Sequence, residues 1–242
     1  MSKAKTYSVE KAKAVDFVPA FELIPINEEQ SDYIRAIKAF PVVLAIGAAG
    51  SGKTFIATVL AAQRLKRGDI KQIVLVRPNE PLGPSLGMLK GDLFEKLKPW
   101  MEPFLPGLLT CFTREEIQKM MDPTVAKIDM VAVEHLRGRS FGDCDIIADE
   151  TQNLKYEAMK CLLTRIGENS RLVLCGDIRQ QDIKDAHTGL DLLLDIGELA
   201  GKKPLKVIEL VHCVRSEVAS FFLEAIELLD IVTGKQIGRA HV

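Results

Sequence analysis

Several features that would point to a disulfide-stapled, metal-binding or membrane protein are missing from this sequence. The five cysteines are odd in number and widely spaced, without a C-x-x-C pair, so we expect them to be reduced. The four histidines stand apart and offer no zinc-binding spacing. The N-terminus has no apolar run after its lysines, and the longest uncharged stretch, 39–52, is too short and glycine-rich to span a bilayer. We therefore expect a cytoplasmic protein that does not bind membranes.

The sequence also lacks a strong charge of either sign. Its 32 lysine and arginine residues are balanced by 33 aspartate and glutamate residues, which gives a formal net charge of −1. This balance argues against a strongly basic nucleic-acid coat, although a local basic groove is compatible with it. The 242 residues, 47% hydrophobic and 27% charged, are enough for one substantial domain with a buried core.

Short apolar runs alternate with amphipathic stretches along most of the chain. The apolar runs predict six strands, at residues 42–46, 72–77, 130–133, 145–148, 171–175 and 207–210. The amphipathic stretches predict helices at residues 27–40, 53–66, 113–121 and 155–166, and a last helix that starts at residue 216. Capping boxes are predicted for Asn27 with Gln30 and for Thr113 with Glu116. The alternation predicts an α/β fold, with a mostly parallel sheet and helices on both faces.

The pattern divides the chain into three parts. Residues 1–26 form a polar arm without a clear period, residues 27–230 are expected to form one domain, and residues 231–242 are a tail. Residues 237–242 resemble the translation of a common sequencing-adapter oligonucleotide, which leaves open whether this tail is native. We assign no function to it.

A glycine-rich loop between the first predicted strand and its helix carries the most specific signal. It fits G-x-x-x-x-G-K-[ST] at every fixed position and comprises Gly47, Ala48, Ala49, Gly50, Ser51, Gly52, Lys53 and Thr54. Glycines let the backbone wrap so that its N–H groups point at phosphate oxygens, and the helix N-terminus adds partial positive charge. Lys53 can then reach the β- and γ-phosphates, while the Thr54 hydroxyl can bind Mg²⁺. The loop predicts a nucleoside triphosphate site.

A pair of carboxylates follows the fourth predicted strand. The apolar run in DIIADE delivers Asp149 to the carboxyl end of a parallel strand, where sheets of this kind bind ligands. Asp149 is predicted to hold Mg²⁺, and Glu150 to activate a water molecule in line with the γ-phosphate. Because a kinase has an acceptor hydroxyl and little use for such a glutamate, the pair favours hydrolysis.

With these motifs in place, the chain resembles the PhoH family of P-loop ATPases, which are related to the first motor domain of superfamily 1 helicases. The matching segments run from about residue 41 to residue 227 and read AIGAAGSGKT, VLVRP, LGMLKGDL, LRGRS, IIADETQN, CLLTRIG, GDIRQ and VRS. The chain departs from the family pattern at Lys90, Ala148, Thr151 and Arg179. The resemblance implies a single RecA-like P-loop NTPase domain that uses ATP and Mg²⁺.

The resemblance also implies roles for residues that spacing alone does not assign. Gln180 matches a glutamine that senses the γ-phosphate, and Arg215 matches a family arginine suited to stabilise the transferred phosphoryl group. Whether Arg215 acts in its own subunit or in a neighbour stays open. Gln30 lies where related helicases place an adenine-reading glutamine, but its predicted cap explains it almost as well. Arg137 and Arg139 suit phosphate oxygens of nucleic acid, an adjoining subunit, or solvent.

ATP hydrolysis coupled to RNA or single-stranded nucleic acid is therefore the expected function. We expect room for only one motor domain after the glycine-rich loop, and the resemblance implies a homo-oligomeric ring, such as a hexamer, in which neighbours complete each other's sites. A nucleotide-gated binding protein with slow hydrolysis is an alternative. A small-molecule phosphotransferase is a weaker one, because residues 78–110 contain no arginine that a lid would require.

Overall fold

The fold is seen in a computed structural model of the chain. It describes residues 21–78, 97, 99–183, 187–199, 204–214, 221 and 225. Arg215, Lys90, the arm before residue 21, the predicted last helix apart from residues 221 and 225, and the tail lie outside the described residues.

A parallel sheet of six strands organises the described part of the chain. The strands are β1 (Val42–Gly47), β2 (Gln72–Arg77), β3 (Ile128–Ala132), β4 (Cys144–Ala148), β5 (Arg171–Gly176) and β6 (Leu205–Leu210). Their order across the sheet is β3-β2-β4-β5-β1-β6, and every neighbouring pair is parallel. All carboxyl ends therefore meet at one edge, and β5 separates β1 from β4 there.

The structure gives complete bounds for six helices and three short 3₁₀ turns around these strands. The helices are α1 (Glu28–Ala39), α2 (Lys53–Arg67), α3 (Leu105–Leu108), α4 (Arg114–Met121), α5 (Tyr156–Leu163) and α6 (Gly189–Leu199). The 3₁₀ turns are Val133–Leu136, Thr151–Asn153 and Ile178–Gln180. None of the helices is long and apolar enough to cross a bilayer.

The sheet is buried on both faces. Along β1, Val43 and Ala45 belong to a cluster with α1 and α2, whereas Leu44 belongs to a second cluster with α5 and α6. Alternate side chains of one strand thus enter opposite cores, which explains why β1 is a continuous apolar run. The predicted fold class, one α/β domain with helices on both faces of a parallel sheet, is confirmed.

Two helix starts differ from the sequence predictions. The box at Thr113 and Glu116 is confirmed, but at α1 only half of one forms: Asn27 caps the Gln30 amide, while the Gln30 side chain accepts from Ile26 N. Helix α6 was not predicted, because its crowded leucines and two glycines hide the period. Its signal is a reciprocal pair in which Thr188 and Asp191 hydrogen-bond each other's backbone N–H.

At the opposite end of β4 from the predicted acid pair, Asp145 forms a buried ion pair with Arg64 of α2. Burial raises the pKa of the Asp145 carboxyl from 3.8 to about 6, against the opposing effect of the Arg64 charge. The pair ties α2 to the sheet near its amino edge, far along the strand from the glycine-rich loop.

We expect Asp145→Asn to gain stability relative to the parent as pH rises. The raised folded-state pKa means that the protonated carboxyl stabilises the fold, and this contribution is lost as pH rises through about 6. Asparagine does not titrate, so the difference in free energy of unfolding should move in favour of the variant by about 1 kcal/mol between roughly pH 5 and 7.5. Urea denaturation at both pH values measures it; a difference that does not change with pH contradicts the assignment.

Candidate functional site

The glycine-rich loop joins β1 to α2 at the carboxyl edge of the sheet. Gly52 precedes α2 with φ of 91°, a left-handed conformation that disfavours other residues, and no side chain caps the helix there. At Gly47 a Cβ atom would lie 2.2 Å from Leu210 O on the neighbouring β6. The first and last glycines of the motif are therefore required by the backbone, and α2 begins directly after the loop.

The Lys53 ammonium lies within the loop. Its Nζ donates to Gly47 O at 2.7 Å, to Ala48 O at 2.9 Å and to Ser51 Oγ at 3.4 Å. Lys53 is 9% exposed and Ser51 is fully buried, so the positive charge is held close to the backbone that would surround a phosphate. The contact of Lys53 with the β- and γ-phosphates stays a prediction.

The side chains of Thr54 and Asp149 are in contact, although β1 and β4, which precede them in the chain, are separated by β5. The Thr54 hydroxyl donates to Asp149 Oδ1 at 2.8 Å, joining the start of α2 to the end of β4. Burial raises the pKa of the Asp149 carboxyl above its ordinary value, and the hydrogen bond from Thr54 opposes that shift. A hydroxyl and a carboxylate at this distance are hard oxygen donors of the kind that Mg²⁺ prefers, and a divalent cation would favour the ionised acid. The residues present fit the ion.

Glu150 adopts an unusual backbone conformation immediately after β4. Its φ is 53° and its ψ is 40°, in the left-handed region that a residue other than glycine adopts at a cost. The side chain is 38% exposed, and its carboxylate lies 3.7 Å from the Arg77 guanidinium at the end of β2. Arg77 also lies 4.0 Å from Asp149. The strained turn thus directs a carboxylate into the open part of the site.

Gln152 holds Glu150 in place, and the sequence analysis did not assign it a role. Its Nε2 donates to Glu150 Oε2 at 2.6 Å, and its Oε1 accepts from Asp177 N at 3.0 Å. The same Nε2 lies 3.4 Å from Gln180 O, in the turn after β5. Gln152 is fully buried, so the carboxylate of Glu150 is connected rigidly to the neighbouring strand end. Its place in the segment IIADETQN was the available signal.

These groups line one cavity of about 280 Å³ at the carboxyl edge of the sheet. Its walls comprise Ala49, Gly50, Gly52, Lys53, Thr54, Phe55, Pro103, Asp149, Glu150, Gln152, Cys175, Gly176, Asp177 and Gln180. The structure therefore brings together the glycine-rich loop, the two acids and Gln180, as the sequence predicted. A cavity with a helix N-terminus, a lysine and a paired carboxylate can hold a phosphate chain with a divalent cation.

Gln30 lies against the loop from outside. Its Nε2 donates to Ser51 O at 3.0 Å, and its Oε1 accepts from Ile26 N at the same distance. With an exposure of 4%, its amide already contacts the protein backbone at both ends. These contacts give Gln30 a structural role, and its contact with adenine stays a prediction.

The two arginines of the LRGRS segment do not line the cavity. Arg139 forms an ion pair with Asp129 of β3 at 2.5 Å and stacks on Phe141 with its guanidinium carbon 5.0 Å from the ring centre. Arg137 is exposed. Both precede β4 in the chain and lie apart from the loop, so a contact with nucleic acid or a subunit would be separate from the nucleotide cavity.

A second cavity of about 360 Å³ adjoins the first and shares Glu150 and Gln180 with it. Its other described walls are Arg77, Pro78, Trp100, Asn153 and Asp182. Trp100, which is half-buried, offers an aromatic surface, and Arg77 offers a guanidinium. A ligand in this cavity would lie directly beside the Glu150 carboxylate.

Comparison with known proteins identifies the family to which the chain belongs. Residues 22–227 match the family model described as PhoH-like protein. This chain belongs to the PhoH family. A PhoH-like protein of Bacillus subtilis is 36% identical over 199 residues, and one of Mycobacterium tuberculosis is 35% identical over 202 residues. Protein PhoH of Escherichia coli is 36% identical over 157 residues.

The PhoH-family relatives are longer than the region they share with this chain. The match covers 81% of this chain and 61% of the Bacillus protein, and 65% of this chain and 44% of the Escherichia coli protein. Among solved structures, Pif1 helicase from Candida albicans is similar with a TM-score of 0.43 and 17% identity, over 85% of this chain and 44% of the helicase.

Proposed function

We propose that this chain binds ATP with Mg²⁺ and hydrolyses it to ADP and phosphate. The contact between the Thr54 hydroxyl and Asp149 Oδ1 carries the proposal, because it joins the glycine-rich loop to the acid pair in one cavity. Membership of the PhoH family supports the same activity. Nucleotide phosphates would occupy the loop, with Lys53 turning from its present carbonyl partners to the β- and γ-phosphate oxygens.

Each group then has a separate task. Thr54 and Asp149 would hold the cation, which neutralises charge on the phosphates. Glu150 accepts a proton from water as the water oxygen bonds to the γ-phosphorus and the bond to the β,γ-bridging oxygen breaks. Gln152 would fix the carboxylate for that transfer, and Gln180, which lines the cavity, would contact the γ-phosphate. Arg215, outside the described residues, is proposed to stabilise the transferred phosphoryl group.

Phosphate release from ATP by the purified chain, with Mg²⁺ and with excess chelator, tests hydrolysis. We expect release that needs the metal. Binding of ATP without measurable release would favour the nucleotide-gated binding protein. Phosphate that appears on a small acceptor instead of in solution would favour the phosphotransferase.

We further propose that RNA or single-stranded nucleic acid stimulates hydrolysis through the second cavity. Trp100 can stack on a base and Arg77 can contact a phosphate, both within reach of Glu150. The ring-shaped homo-oligomer stays a prediction, which light scattering with and without ATP would test.

Addition of single-stranded RNA is expected to raise phosphate release several-fold in the parent. Trp100→Leu should lose most of this stimulation and keep the basal rate, because one stacking contact is worth about 1–3 kcal/mol. Phe112→Leu is the matched control: Phe112 is half-buried against Lys66, away from both cavities. Equal stimulation in all three proteins would remove Trp100 from the proposed interface, and its absence from the parent would remove the nucleic-acid partner.

A further inference from the structure

We propose that the segment after β6 positions the phosphate-binding loop, through the thiol of Cys213 and the backbone amide of Val214. The inference rests on the proposed function, since it concerns how tightly the loop holds a nucleotide. It extends that function to a segment, residues 211–214, that directly precedes Arg215 and that the sequence analysis did not assign to the loop.

The segment contacts the loop from outside the cavity. Cys213 Sγ donates to Ala49 O at 3.3 Å, and Val214 N donates to Gly50 O at 3.0 Å. Next along the loop, Gln30 Nε2 donates to Ser51 O. Three consecutive carbonyls thus accept hydrogen bonds from residues far away in the sequence.

Lys53 completes the set. Its ammonium bonds the two preceding carbonyls, those of Gly47 and Ala48. In the protein without nucleotide, each carbonyl from residue 47 to residue 51 therefore accepts a hydrogen bond, and the three carbonyls from residue 49 to residue 51 accept theirs from outside the motif. These hydrogen bonds restrict the rotation of the peptide groups in the loop, although its glycines would permit many backbone conformations.

A hydrogen bond that fixes the orientation of a carbonyl also fixes the orientation of the N–H in the same peptide group. In a trans peptide the C=O and the following N–H point to opposite sides. The bond from Cys213 to Ala49 O therefore directs the Gly50 N–H away from the segment, toward the cavity that Gly50 lines. An amide directed into the cavity is one of the donors that a phosphate chain requires, and its fixed orientation lowers the entropy lost on binding.

The segment is itself anchored just before its contacts with the loop. Leu210 pairs with Gly47 in the ladder between β6 and β1, so the segment starts level with the loop. His212 N donates to Glu29 Oε2 at 3.1 Å, and His212 Nδ1 lies 2.8 Å from Glu29 Oε1. Glu29 belongs to the first turn of α1, beside Gln30. The first turn of α1 therefore holds both the segment, through Glu29, and Gln30.

Exchange of the thiol tests the side-chain contact. Cys213→Ala should weaken binding of a fluorescent ADP by about fivefold, the effect of one lost hydrogen bond, with kcat at saturating ATP within twofold of the parent. Cys213→Ser keeps a donor and should bind like the parent. Cys161→Ala, at another half-buried cysteine on α5, is the control and should change nothing. Thermal unfolding without nucleotide verifies that each variant is folded.

The backbone contact has its own matched pair. Val214→Pro removes the N–H that Gly50 O accepts and should weaken ADP binding by about tenfold, whereas Val214→Ala keeps it and should not. Parent-like dissociation constants for both Cys213→Ala and Val214→Pro would overturn the inference, as would a serine variant as weak as the alanine one. A parent that binds no nucleotide would contradict the proposed function, and the inference with it.

Discussion

Glu150→Gln is expected to stop ATP hydrolysis while leaving ATP bound. The amide has the shape of the carboxylate and can still accept the hydrogen bond from Gln152, but it cannot take a proton from water. Loss of a general base typically lowers kcat by 10²–10⁴-fold, so we expect a fall of about a thousandfold. Phosphate release under single-turnover conditions, with ATP affinity measured in parallel, gives both quantities.

The surrounding contacts make this variant a specific probe. The left-handed backbone at Glu150 costs a glutamine no more than a glutamate, so the turn should survive. Glu157→Gln, an exposed change in the first turn of α5, is the control and should keep the parental rate. If Glu150→Gln releases phosphate as fast as the parent, another group must activate the water.

Lys53→Ala is expected to weaken ATP binding by at least about a hundredfold, which corresponds to about 2.7 kcal/mol. Two losses combine. The triphosphate loses its nearest cation, and in the protein without nucleotide Gly47 O loses the Lys53 donor while Ala48 O keeps the Ser51 amide. The loop should therefore become less ordered even without nucleotide, in contrast to Glu150→Gln.

Equilibrium binding of a fluorescent ATP analogue measures the effect of Lys53→Ala. Lys53→Arg separates the two losses: it keeps the charge, but its planar guanidinium cannot reproduce the contacts that a compact ammonium makes. Lys71→Ala removes an exposed lysine that pairs with Asp143 near the amino edge of the sheet, and should bind ATP normally. Parental affinity in Lys53→Ala would show that the loop does not grip the phosphates.

The local patterns in the sequence predicted most of the fold's elements. Strand β2 has the predicted bounds, and β1 differs by one residue, because buried apolar runs flanked by glycine, proline or charge are distinctive. Strand β6 begins two residues earlier than predicted, since exposed Lys206 interrupts its apolar run. The glycine-rich loop and the acid pair were found because their chemistry dictates both residue type and spacing.

Partners that lie far apart in the chain could not be predicted in the same way. The bond from Gln152 to Asp177 joins two strand ends, and that from Cys213 to Ala49 spans more than half of the chain. Neither side chain has a fixed spacing to its partner's motif, so no window of the sequence reveals the contact. For Gln30, the sequence indicated both a cap and a ligand contact, and the structure adds a third role against Ser51 O.

The position of β5 sets the distance between the glycine-rich loop and the acid pair. Hydrogen-bonded strands are spaced by about 4.8 Å, so a strand between β1 and β4 keeps their ends about 10 Å apart. Gly176 ends that middle strand, and a Cβ there would collide with the Thr151 hydroxyl. The spacing of hydrogen-bonded strands thus sets the separation between the loop that carries Lys53 and the strand end that carries the two carboxylates. Insertions in the surrounding loops can change which ligands enter the cavity, but they leave the distance between β1 and β4 unchanged.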